Sequence, residues 1–511
     1  MRSVWRRLVL VVLLMAGATA PARLAAAPMA AQESGGSGLS FDDDRLARID
    51  SYLADTRQEL GLPGLAAAIV AGDEIVYSKG FGEVSSGGAP IQPDTAFIIA
   101  SLSKSITALA LMQTVDDGLV DLDAPVSDYL PEFVSPDSGV TVRDLMHHRS
   151  GLSQEAGVEA LRGEEGASLE ANVARIGSLL EAGAGFEYSN LNYDTIALIV
   201  ERVTGVSFGE FVAARIFGPV GMVNSQVAPA DTAAEGFAQG HYRWLLLGYR
   251  PLEAWRPPGV AGGGFMASSA EDLARLLTVH INGGEYAGRR IVSPESLEIL
   301  HEPRPYTEGT PLGYGGGWSI EPPGTEGKPA AISGYTNLWH NGDWDGYWAV
   351  QLVTPEAGLG IVLLANGHDE RDTTSLLFVA SNVRSILAGE ETFDIPKRFG
   401  DFLQVWGKHL LLAAVLVQIA LAFVSVPILR RIRSHRARRR EWMILGVATA
   451  IDVAAAAALI WLIPAQAPMN VTLSLPDYRI LIVTMAIGVA WGGIRSGLTA
   501  WYRWPFGSKR T

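Results

Sequence analysis

Phe97-Ile98-Ile99-Ala100-Ser101-Leu102-Ser103-Lys104 is the stretch on which the reading of this chain turns. An apolar run leads into a serine, and a lysine follows three positions later in the only Ser-x-x-Lys of the 511 residues. A helix is expected to follow Ser101, with Ile106, Leu109, Ala110 and Leu111 as its apolar side and Gly118 as its C-terminal stop. Residues three apart share a helix face, so the hydroxyl of Ser101 and the amine of Lys104 can meet. A lysine deprotonated by burial and by cationic neighbours can take the serine proton, and the helix N-terminus favours the negative charge that develops. Ser101 is thus the candidate nucleophile and Lys104 its activating partner. Alone, the same four letters also describe an ordinary helix start with a solvated lysine.

Outward from this stretch, Leu65 to Val70 and Ile75 to Ser78 flank Ala71-Gly72-Asp73-Glu74, which reads as a hairpin. Before it, Leu46, Ile49, Tyr52 and Leu53 recur at helical spacing. The middle third reads mostly helical: Thr141 with Asp144 and Ser269 with Asp272 look like N-terminal caps, and Pro294 occupies a first helical position. Strands return at Tyr347 to Thr354 and Leu359 to Ala365, joined by Pro355-Glu356-Ala357-Gly358, and a helix from about Thr374 to Leu387 closes the domain. Strands at both ends with helices between predict one antiparallel sheet assembled from the two ends of the chain, with a helical region inserted.

Two further polar breaks carry groups with chemistry. Tyr188-Ser189-Asn190 precedes a helix; a tyrosine there can shuttle a proton, and an asparagine can bond a substrate carbonyl. His340-Asn341-Gly342 leads through Asp343 into the late hairpin. Gly342 permits close backbone approach to a ligand, and an amide just after it can donate to an oxyanion. His340 is expected to orient substrate and to make activity fall off across mildly acidic to neutral pH. Other chemistries fail: there is no Gly-x-Ser-x-Gly elbow, His-Glu-x-x-His motif, Walker loop or dinucleotide glycine loop. The absence of cysteine removes thiolate nucleophiles and Cys-based zinc sites, and His147-His148 has no second ligand pair, so it reads as structural. The net charge of −14 argues against nucleic acid as a partner.

Taken in order, Phe97 to Lys104, Thr141-Val142-Arg143-Asp144-Leu145-Met146-His147-His148-Arg149-Ser150-Gly151-Leu152, Tyr188-Ser189-Asn190, Gly262-Gly263-Gly264 and His340-Asn341-Gly342 resemble the class C β-lactamase and penicillin-binding-protein-like serine hydrolases. The resemblance covers about residues 45 to 390. It implies an α+β fold in which an antiparallel sheet flanked by helices stands beside an all-helical region, with the site between them. It further implies Ser101 as the acylated nucleophile, Lys104 as its activator, Tyr188 as acid/base and Asn190 as positioner of substrate and lysine. The backbone amides of Ser101 and Asp343 would form the oxyanion hole. His340 departs from the lysine common in β-lactamases and resembles the esterase and peptidase branches, which puts efficient β-lactam turnover in doubt. No metal or cofactor is called for, and the substrate is a small molecule or peptide.

The two ends of the chain speak of location. Arg2, Arg6 and Arg7 precede the apolar run Leu8 to Ala18, a secretory signal expected over residues 1–31, followed by a flexible linker at 32–40. The hydrolase domain is expected over 41–395 and a three-helix transmembrane region over 407–500. Its apolar runs, Leu410 to Leu429, Trp442 to Ile463 and Ile480 to Leu498, each approach the roughly 20 residues that a crossing takes. The arginines from Arg430 to Arg440, and Arg503, Lys509 and Arg510, keep their ends inside. Three crossings then place the N-terminal domain outside, where the signal also sends it. Asp452 and Arg495, charged residues within the second and third runs, are expected to pair. A receptor is the alternative reading: the site would bind or be acylated by a cell-wall-like ligand, and the helices would pass the event inward.

Overall fold

The computed structural model describes residues 38–133, 139–153, 170, 185–229, 236–244, 248–252, 261–325, 334–368, 375–395, 399–434, 436, 438–465 and 476–503, and the signal segment expected at 1–31 lies outside them. Helix α1 (Asp43–Leu60) starts at Asp42, whose carboxylate accepts from the Arg45 amide, and stops at Gly61 in the left-handed region. The hairpin β1 (Gly64–Ala71) and β2 (Glu74–Gly82) turns through Gly72 at φ +64°. A single 3-10 turn, Ala100–Leu102, runs directly into α2 (Ser103–Asp116). Helix α3 (Val142–Met146) carries the expected Thr141/Asp144 capping box. Helices α4 (Asn190–Thr204) and α5 (Ala270–Ile281) follow, the latter capped by Ser269.

The other strands of the main sheet are β3 (Arg304–Pro305), β4 (Gly313–Tyr314), β5 (Ser319–Glu321), β6 (Asn337–Trp344), β7 (Tyr347–Thr354) and β8 (Leu359–Ala365), and α6 (Ser375–Ala388) comes after them. They join in the order β3-β4-β5-β6-β7-β8-β1-β2 with every pairing antiparallel. The closing register Leu65↔Ala365 to Ala71↔Leu359 is the union of the two chain ends that the hairpins imply.

Alternation along the central strands divides the core. Leu65, Ala67 and Ile69 of β1 face Ile49 and Leu53 of α1 and Val379, Val383 and Ile386 of α6. Their neighbours Ala66, Ala68 and Val70 face the other way, into a larger core with Leu273 and Leu277 of α5 and the apolar residues of α2 and α4. Here α2 departs from the amphipathic expectation, because every residue from Ser103 to Thr114 is buried. A helix enclosed on all sides is a central strut rather than a surface helix, and its polar members must find partners inside.

Beyond this domain lie α7 (Phe399–Arg433), α8 (Arg439–Ala465) and α9 (Pro476–Arg503). Among the described residues two stretches, Leu412–Arg433 and Ile482–Trp501, are long and apolar enough to cross a membrane. The third expected crossing, in α8, is helical but is not among them. Asp452 and Arg495 do pair: Arg495 Nη2 donates to Asp452 Oδ2, and both residues are buried. Gly492 makes room for the pair, since a Cβ there would stand 2.3 Å from Asp452 Cγ.

Candidate active site

Ser101 sits in the 3-10 turn between Ile99 and α2, preceded by Ala100 at φ +49°. A non-glycine residue in the left-handed region costs about 1–2 kcal/mol, and the surroundings hold it there. On one side Ile99 N–H donates to Met266 O of the short strand Met266–Ser268, which pairs with Phe97–Ile98. On the other side Gly342 of β6 packs so closely that a Cβ would stand 2.4 Å from the Ile99 carbonyl oxygen. The close approach expected of Gly342 is therefore made to the turn that carries Ser101.

Lys104, one turn into α2, is fully buried. Its Nζ donates to Ser101 Oγ at 3.2 Å, to Asn190 Oδ1 at 2.7 Å and to the Gly263 carbonyl. Tyr188 OH donates to the same Ser101 Oγ at 2.9 Å, and its ring lies 4.8 Å from Lys104 Nζ. Four residues singled out in the sequence, Ser101, Lys104, Tyr188 and Asn190, thus form one hydrogen-bonded cluster. Burial holds the Lys104 ammonium well below the usual lysine range, opposed by the nearby Asp194 carboxyl. Burial pushes the Tyr188 phenol up, opposed by its bond to Ser101. The two groups are driven apart, the amine toward its neutral form and the phenol toward keeping its proton.

His340 and Gly342 lie on β6, and Asp343 stands opposite Trp348 in the β6–β7 ladder. The His340 ring is 6.2 Å from that of Tyr188. Its Nδ1 is 2.6 Å from the Asn341 carbonyl, so that nitrogen carries the proton, and Nε2 accepts from Tyr314 OH at 3.0 Å. Burial first, and then the Lys104 charge, push it down to about 3. This corrects the expectation of a histidine titrating across mildly acidic to neutral pH: a ring enclosed by two aromatic groups and satisfied at both nitrogens stays neutral there.

Two supporting residues, Asp194 and Tyr314, had no signal in the local sequence pattern strong enough to single them out. Asp194, one helical turn past Asn190, accepts the Gly263 amide at 2.7 Å; the one available signal was a carboxylate just before the apolar run Ile196 to Val200. Tyr314 reaches the site from β4, and no local pattern announces a strand of two residues. His148, read as structural, indeed packs as such. Its Nδ1 accepts from the Ser189 amide at 3.2 Å and the Asn192 side chain at 2.9 Å, and its ring lies 4.5 Å from Tyr188. Gly262 and Gly263 fit against α4, where added Cβ atoms would stand 2.3 Å from Tyr193 O and 2.7 Å from Asn190 O. Thr107 fixes the Gly262 carbonyl at 2.8 Å.

An antiparallel sheet beside a helical region, with a buried lysine and a partly exposed serine and tyrosine at their junction, defines the penicillin-binding-protein-like serine hydrolase class. The chain belongs to the Beta-lactamase family, whose profile matches residues 49–381. It is 26% identical over 366 residues to the unguisins hydrolase ungD' of Aspergillus campestris, covering 66% of this chain and 65% of that protein. It is 26% identical over 352 residues to penicillin-binding protein 4* of Bacillus subtilis, covering 65% of this chain and 73% of that protein. Among solved structures, the octameric penicillin-binding protein homologue from Pyrococcus abyssi superposes with a TM-score of 0.58 at 26% identity, over 68% of this chain and 78% of that one. The chain thus spans slightly under two thirds of the fungal relative's length.

Proposed function

We infer that this chain is a membrane-anchored, extracytoplasmic serine hydrolase that cleaves an ester or amide through an acyl-enzyme on Ser101. One observation carries the reading: Ser101 Oγ lies within hydrogen-bond reach of both a buried lysine amine and a partly buried phenol whose proton affinities desolvation moves in opposite directions. Neutral Lys104 takes the proton of Ser101 as Oγ bonds to the substrate carbonyl carbon. The tetrahedral oxyanion is met by the backbone amides of Ser101 and Asp343, a role supported by the close packing of Gly342 on the Ile99 carbonyl. Tyr188 gives its proton to the departing alcohol or amine, the carbonyl re-forms as an ester of Ser101, and Lys104 can return a proton to the phenolate. Water then attacks that ester by the same route, releasing the acid and restoring the serine. Asn190 holds the amine in place and is available to the substrate carbonyl.

Neutral His340 favours substrates without a carboxylate to be clamped at that position, in line with esters and peptides over β-lactams. The apolar stretches Leu412–Arg433 and Ile482–Trp501 support anchoring, and the arginines after the first support an inward-facing end. The test is steady turnover of chromogenic short-chain esters, D-amino-acid peptides and a chromogenic β-lactam by the full chain in detergent, beside Ser101→Ala. Turnover of at least one ester or peptide, lost in the variant, is expected. A single stoichiometric burst with no further turnover would favour the receptor.

A further inference from the structure

Asp194 is a carboxylate with 1% exposure, in a helix whose neighbouring residues from Leu191 to Val200 are all buried. A buried carboxylate is costly unless it is bonded, so its partner identifies what the fold holds it for. That partner is the Gly263 amide, which donates to Oδ1 at 2.7 Å. The carbonyl of the same residue accepts from Lys104 Nζ. One glycine is therefore gripped at both ends, by Asp194 through its N–H and by Lys104 through its C=O. Asn190, one turn earlier on the same face of α4, grips the same amine at 2.7 Å. The second carboxyl oxygen, Oδ2, is buried without a hydrogen-bond partner among the described residues.

We propose that Asp194 is a positioning residue for the Ser101–Lys104 pair: its carboxylate fixes the Gly263 peptide so that the carbonyl holds Lys104 Nζ within reach of Ser101 Oγ. The inference rests on the hydrolase reading above and adds to it a residue that touches neither substrate nor serine. A carbonyl accepts from the amine whether or not the amine is charged, so this contact holds Nζ still without deciding its proton. The charge of Asp194 acts separately. It opposes the effect of burial on Lys104, and burial raises the carboxyl itself against the amides of Gly263 and Gly262 and the Lys104 charge. The other titratable groups facing Lys104 are Tyr188 and Tyr193, whose rings lie 4.8 Å and 5.8 Å from Nζ, and His148 and His340, both held neutral by burial.

The two effects separate experimentally. Asp194→Asn keeps an acceptor for the Gly263 amide and removes the charge, whereas Asp194→Ala removes both. The probe is a fluorophosphonate, whose second-order rate of labelling Ser101 in the full chain is followed from about pH 5 to about pH 10, with 4-nitrophenyl butyrate turnover beside it. In Asp194→Asn the acidic limb of both profiles should move down by about one pH unit, with the plateau rate within about threefold of wild type. In Asp194→Ala the plateau should fall at least about tenfold, because the carbonyl is no longer held. A wild-type plateau in a folded Asp194→Ala would overturn the proposal, and so would a plateau in Asp194→Asn as low as that of Asp194→Ala; the limb reports the separate effect of the charge. If Asp194→Ala does not fold, Asp194→Ser, whose shorter side chain falls short of the Gly263 amide, takes its place with the same expected loss. Failure of the hydrolase reading looks different: Ser101→Ala would then keep turnover and labelling, whatever the Asp194 variants do.

Discussion

Gly342→Ala asks whether the late strand holds the nucleophile's turn. A Cβ on Gly342 would stand 2.4 Å from Ile99 O, 3.1 Å from Ala100 Cβ and 3.1 Å from Leu102 Cδ1, where ordinary contact begins at 3.4 Å. Two of these neighbours are the residues on either side of Ser101, and the tightest contact is with backbone that cannot rotate away. Relief therefore needs a separation of about 1 Å between β6 and the turn, since overpacked cores shift backbone rather than compress. The stability cost is about 1–3 kcal/mol. The catalytic cost is larger, because a misplacement of about 1 Å between reacting groups is worth about 100-fold in rate. Thermal unfolding of the full chain should show a melting temperature lower by a few degrees. Ester turnover measured well below that transition should show kcat down about 100-fold with KM little changed. Wild-type kcat in a folded Gly342→Ala would refute the reasoning, because the strand and the turn would then move independently.

Lys104→Ala and Tyr188→Phe should each slow acylation by about 100-fold to 10,000-fold, while binding of a substrate analogue changes less; stopped-flow bursts of wild-type rate in both would exclude the proton relay. His340→Gln should leave the acidic limb of kcat/KM where it is, since the limb belongs to Lys104 and rises with pH as the amine loses its proton; a displaced limb would return the titration to His340. His147 and His301 are both pushed down to about 4 by burial, so they stabilise the fold fully above pH 6.5 and lose that contribution as the pH falls toward 4. At about pH 5 each should cost about 2 kcal/mol relative to neutral pH, and a denaturant midpoint unchanged between pH 7 and pH 5 would contradict this. Asp452→Leu and Arg495→Leu, singly and together, should change thermal stability in detergent non-additively, because Arg495 donates to Asp452; additive effects would mean that the two are not in contact.

Much of the fold was legible because its signals are local. Both hairpins, the caps at Thr141 and Ser269, and Pro294 at a first helical position depend on residues within a few positions of one another. Ser101 and Lys104 were legible for the same reason, being one helical turn apart. Tyr188, Asn190 and His340 came from the family resemblance to the order of short motifs, since nothing in Tyr188-Ser189-Asn190 says which helix it will face. What escaped depends on burial and on non-local pairing. Tyr314 lies on a two-residue strand with no period to read, and it reaches His340 only through the register of β4, β5 and β6. The protonation of His340 could not be read because a histidine beside a strand is equally compatible with solvent and with a closed aromatic pocket. Asp194 was hidden because a carboxylate in a helix ordinarily faces water.

The most direct test of the account is the mass of the protein after brief reaction with an excess of fluorophosphonate or activated ester, followed by peptide mapping. One adduct per chain is expected on Ser101, formed faster as the pH rises through the acidic limb, absent from Ser101→Ala and slowed in Lys104→Ala. An adduct on any other residue, or one that persists in Ser101→Ala, would contradict it.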